Sequence, residues 1–124
     1  MTSFSQAAES RLLRRILFLP AYRATRNIPK DFNPWADILK AFVSHCIERY
    51  GREEVKSWYF EVWNEPDNHD IWLKDASTFM ALYDYFEDAI HSVDEKIKVG
   101  GPAVKQWEGA EKIYREFLEH CARA

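Results

Sequence analysis

The sequence predicts an α/β fold with a parallel sheet and its helices outside, and three observations carry that expectation. Short apolar segments at residues 16–20, 58–63 and 97–99 alternate with longer stretches whose apolar residues recur every three or four positions. Strands and helices alternating at these lengths pair in parallel through right-handed crossovers. Each short segment is stopped by proline or glycine, at Pro20, Pro66 and Gly100-Gly101-Pro102. Three strands leave two unpaired sheet edges, and buried parallel sheets are rarely so small, so a larger sheet is expected.

The elements follow in order. Ile16-Leu17-Phe18-Leu19-Pro20 reads as a buried strand closed by its proline. Asn33-Pro34 supplies an N-cap and a first-turn proline for a helix that runs to about Tyr50 and ends at Gly51. Its apolar stripe is Trp35, Ile38, Leu39, Phe42, Val43, Cys46, Ile47 and Tyr50. A charged linker holding Arg52, Glu53, Glu54 and Lys56 leads to Trp58-Tyr59-Phe60-Glu61-Val62-Trp63, which is aromatic and β-branched on both parities, as in a strand covered on both faces. A second helix from about Ala76 to Val93 buries Phe79, Leu82, Tyr83, Phe86, Ile90 and Val93. The strand Ile97-Lys98-Val99 follows, and a third helix places Ile113, Tyr114, Phe117, Leu118 and Cys121 inward.

Composition bounds the function. With 124 residues, 47% of them apolar, the chain can bury one modest core. Residues 1–30 hold six basic side chains and one acid, whereas 31–124 hold eleven basic and nineteen acidic. The arginines of the first segment (Arg11, Arg14, Arg15, Arg23 and Arg26) are scattered, and the acidic remainder argues against nucleic acid. No stretch reaches the roughly 18 apolar residues of a membrane span, and no secretory core is present, so the expectation is a chain in the cytoplasm that contacts no membrane. Cys46 and Cys121 fall on inward faces of separate helices, which predicts free buried thiols.

The chemistry concentrates at Glu61-Val62-Trp63-Asn64-Glu65-Pro66, where an amide and a carboxylate stand at the carboxyl end of a strand. In α/β barrels and open α/β sheets, that edge carries the active site. Asn64 offers a donor and an acceptor for a sugar hydroxyl, Glu65 a titratable proton for a leaving oxygen, and Trp63 and Trp72 rings that can wall a sugar. Glu61 lies about 13 Å down the strand by an extended rise of roughly 3.3 Å per residue and is expected to be a buried polar anchor. Asp67 and Asp70 lie on a polar loop with His69, and neither that loop nor the rest of the chain predicts a metal or another cofactor. Gly100-Gly101-Pro102 lacks the spacing of a phosphate-binding loop and reads as a strand exit. His45, His91 and His120 stand at polar or boundary helix positions with no serine or cysteine pattern of a nucleophile pair.

These residues also carry a resemblance. The segment from Trp58 to Pro66, then Ile71-Trp72, the Phe79…Tyr83 helix and Val99-Gly100-Gly101-Pro102-Ala103 resemble glycoside hydrolase family 39, with its β-xylosidase branch favoured by the helix sequences. Asn64-Glu65-Pro66-Asp67 followed by His69 is also similar to the family's α-L-iduronidase branch. The resemblance implies a partial (β/α)8 TIM barrel over residues 16–124, with strands 3 to 5 and their helices, preceded by a poorly matching segment 1–15. It implies retaining O-glycoside hydrolysis with a xyloside-like carbohydrate substrate, Glu65 as general acid/base and Asn64 holding the 2-hydroxyl. A retaining site needs a second carboxylate about 5–5.5 Å away. In this family it comes from a seventh strand absent from the sequence, so the isolated chain is expected to be inactive. The alternative is a non-catalytic remnant, or a carbohydrate-binding α/β module that self-associates through its open sheet edges.

Overall fold

The computed structural model describes residues 15–18, 29, 31–63, 65–68, 75–105 and 107–123, with the backbone alone for 15–18 and 107–109. Three strands, β1 (Arg15–Phe18), β2 (Tyr59–Val62) and β3 (Lys98–Gly100), form one sheet in the order β1-β2-β3. Both pairings are parallel, with Ile16 opposite Phe60 and Phe60 opposite Val99. The helices are α1 (Phe32–Tyr50), the short α2 (Arg52–Lys56), α3 (Ala76–Val93) and α4 (Trp107–Arg123).

The core lies between the sheet and α1 and α3, and those two helices make the most extensive helix contact. Leu39 and Val43 of α1 meet Phe79, Leu82, Phe86 and Ile90 of α3 in a fully enclosed cluster with Phe60 and Val62. Trp35 stacks on Phe86 at 6.3 Å between ring centroids, and Phe117 of α4 stands edge-on to Tyr83 at 4.7 Å. Polar ties hold the helix ends: Arg52 bonds Asp94 at 2.7 Å, and His120 of α4 meets Asp84 of α3 at 2.7 Å.

The structure corrects several expectations. The cap of α1 is Asp31, whose carboxylate accepts from the Asn33 N–H at 3.0 Å, so Asn33 lies inside the first turn. The charged linker is helical as α2, because Val55 is buried beneath it and anchors the turn. In β2 burial alternates: Phe60 and Val62 face the core, whereas Tyr59 is 46% exposed and Glu61 is half-buried, so one face alone is covered. Glu61 is therefore not a buried anchor.

The helix stripes are narrower than the periodicity predicts. Trp35, Leu39, Val43 and Cys46 are buried on α1, but Ile38 is 63% exposed and Tyr50 is also exposed. On α4, Ile113 and Phe117 are buried while Tyr114 and Leu118 face solvent. These exposed residues flank the stripes of α1 and α4, at the margins of the core cluster. Cys46 and Cys121 are free thiols, the first buried and the second half-buried. Among the described residues no helix is long and apolar enough to cross a membrane.

Candidate active site

The site is built on the two loops that leave the carboxyl ends of β2 and β3. After Val62 the backbone leaves extended geometry: Trp63 has φ 60° and Glu65 has φ 51°. Non-glycine residues adopt this left-handed region at a cost of about 1–3 kcal/mol, and such positions cluster where a side chain must be aimed. Trp63 is 3% exposed and belongs to the core, supporting the loop from within. Glu65 is half-buried, just beyond the strand end.

The second loop braces the first. The Glu65 N–H donates to the Ala103 carbonyl at 2.7 Å, and the Lys105 N–H donates to Asp67 Oδ1 at 2.8 Å. Between these ties, residues 65–68 form a turn in which the Asn68 N–H donates to the Glu65 carbonyl at 2.9 Å. The Asn68 side-chain amide also donates to Glu65 Oε2 at 2.9 Å. Gly101, at φ 151°, lies where a Cβ would stand 3.9 Å from both the Glu61 Cγ and the Phe79 ring, and its peptide to Pro102 is cis. The strand exit is thus also the brace of the Glu65 loop.

Of the residues picked out by sequence, Glu65 stands at this rim, whereas the Trp63 ring is enclosed in the core beneath it and does not wall a sugar as expected. Asn64, Trp72, His69 and Asp70 lie outside the described residues. Asp67 is a loop tie through its carboxylate, and Glu61 stands on the open face of β2 beside Gly101. A depression of about 420 Å³ runs along β3 between Tyr59, Glu61, Pro102 and Tyr114; Glu65 does not line it. Among the described residues no group of three histidine, cysteine or carboxylate side chains could hold a metal.

Sequence reasoning missed Asn68 and Ala103. Asn68 had a local signal, since an amide three residues after a glutamate can reach back across a turn. Ala103 had none, because its contact with Glu65 spans 38 residues.

A motif-bearing strand end of this kind, held by a neighbouring parallel strand's loop, agrees with what the comparisons find. The family model "Glycosyl hydrolases family 39" matches residues 20–124. The chain belongs to that family.

Its family relatives include the β-xylosidase of Geobacillus stearothermophilus, 48% identical over 96 residues, which are 76% of this chain and 18% of that enzyme. The human α-L-iduronidase is 33% identical over 70 residues, covering 55% of this chain and 11% of that protein. Among solved structures, a monomeric β-xylosidase from Caulobacter crescentus CB15 superposes with a TM-score of 0.71 at 35% identity, over 87% of this chain and 24% of that one. Such family 39 enzymes have TIM-barrel catalytic domains, and this family 39 chain is an α/β portion spanning less than a quarter of each of these three proteins.

Proposed function

We propose that Glu65 is the general acid/base of a retaining β-xylosidase site, and that β1, β2 and β3 are strands 3, 4 and 5 of its barrel, with residues 16–124 as the barrel portion. The supporting observation is the half-buried Glu65 carboxyl beyond the end of β2, on a left-handed backbone pinned to Ala103 at 2.7 Å. A fixed carboxyl at a strand's carboxyl end suits proton delivery to a glycosidic oxygen, followed by proton removal from water. Asn64 would hold the sugar's 2-hydroxyl and Trp72 would wall the ring, whereas Trp63, enclosed in the core, supports the loop from beneath.

The second carboxylate, which bonds the anomeric carbon, lies outside this chain in this reading, so the isolated chain does not turn over. Replacing the matching segment of the Geobacillus stearothermophilus β-xylosidase by this chain tests the assignment. The chimera should hydrolyse aryl β-xylosides, and Glu65→Gln should lower kcat by about 10²–10⁴-fold, most for poor leaving groups. Full activity of the Glu65→Gln chimera on a poor leaving group refutes the role.

The competing reading is a non-catalytic module that self-associates through its sheet edges. The three-stranded sheet favours it, because β1 and β3 each keep one edge with no strand partner among the described residues. A discrete oligomer with a sharp thermal transition supports this module, and aggregation with a broad one supports a remnant.

A further inference from the structure

We infer that Asn68 is a positioning residue that decides which oxygen of Glu65 exchanges the proton, holding Oε2 so that Oε1 meets the sugar. The inference rests on the reading of Glu65 as general acid/base. Its basis is the doubled link across the turn, in which the backbone bond from Asn68 N–H to the Glu65 carbonyl and the side-chain bond to Oε2 both measure 2.9 Å.

The geometry is held from outside as well as within. Glu65 is tied to Ala103 and Asp67 to Lys105, so the turn is fastened at both ends to the loop after β3. The backbone of Asn68 therefore cannot move away without breaking a hydrogen bond, and neither side chain can rotate without giving up the bond between amide and carboxyl. Among the described residues, nothing else bonds the Glu65 carboxyl.

A carboxamide N–H can only donate, so the oxygen it holds acts as an acceptor whether Glu65 is ionised or protonated. The proton is then left to Oε1. In the forward step the Oε1–H bond breaks, its electron pair stays on the carboxylate, and the proton bonds the glycosidic oxygen. That oxygen leaves with the electron pair of its bond to the anomeric carbon, as the second carboxylate bonds that carbon. In the return step Oε1 takes a proton from a water whose oxygen bonds the anomeric carbon, and the second carboxylate leaves with the electron pair of its bond to that carbon. Asn68 touches no reacting atom; it removes the rotational choice between two equivalent oxygens.

The xylosidase chimera gives the test. Asn68→Ala should lower kcat about tenfold with little change in KM, and by more on a poor leaving group than on an activated one, because proton transfer alone is touched. In the 15N-labelled full chain, the amide signals of Glu65 and Lys105 report whether the turn survives the substitution. An unchanged kcat on a poor leaving group, or a loss equal on good and poor leaving groups with those amide signals unchanged, overturns the inference.

The two failures separate. A fully active Glu65→Gln chimera sinks the acid/base reading, whatever Asn68→Ala does. An unchanged kcat in the Asn68→Ala chimera beside an inactive Glu65→Gln chimera sinks the role of Asn68 alone.

Discussion

Phe86 is fully enclosed and stacks on Trp35, so truncating it leaves a void that the surrounding helices cannot fill. Phe86→Ala should lower unfolding free energy in urea by about 3–5 kcal/mol. The cysteines give a second residue-level expectation. Burial pushes the Cys46 thiol up, and burial followed by the charges of Glu87 and Asp84 does the same for Cys121. Both are thiols at neutral pH and react slowly, but Cys121 is half-exposed and Cys46 is not. Iodoacetamide labelling read by mass spectrometry should modify Cys121 first and reach Cys46 only when denaturant is added. Which thiols face inward was legible from helical spacing; that one sits at the edge of the core was not, because spacing gives direction and not depth.

The elements were legible in kind and less so in their limits. The span of α3 follows from its apolar stripe, but the start of α1 moved from Asn33 to Asp31 because two residues flanking Phe32 could each cap and only geometry selects between them. Its end is fixed by Gly51, whose φ of 89° and ψ of 149° fall where an L side chain is strained. Gly51→Ala should therefore cost about 1–3 kcal/mol in a urea titration, although no atom lies within 4 Å of the added methyl. The ends of α3 are electrostatic. Hydrogen bonds from the Thr78 side chain and backbone hold the Asp75 carboxyl below its usual range, and the Lys96 N–H followed by Arg52 does so for Asp94. The unfolded chain binds more protons at these sites, so their stabilisation is present above about pH 4 and is lost as pH falls through the lower folded values. Melting temperatures between pH 2.5 and 5 should fall steeply for the wild type and less steeply for the double variant Asp75→Asn, Asp94→Asn, in which asparagine still caps.

At the scale of the whole molecule, the motif around Glu65 was legible because strand, carboxylate and stop are contiguous in sequence. Its bracing by Ala103 and Lys105 was not, since those contacts join segments separated by a whole crossover. The same non-locality explains the uncovered flanks. Periodicity marks Ile38 and Leu118 as apolar-stripe residues, yet they are 63% and 65% exposed, and the chain spans 18% of one β-xylosidase and 24% of another. Apolar surface of this kind promotes association when nothing covers it. Sedimentation velocity should show the wild type's average mass rising with concentration, and Ile38→Glu with Leu118→Glu should return it toward the monomer. Because neither side chain is in the core, the unfolding free energy of the double variant in urea should stay within about 0.5 kcal/mol of the wild type per substitution. A concentration-independent monomer in the wild type removes self-association from consideration, and a double variant that unfolds means these positions are packed rather than exposed.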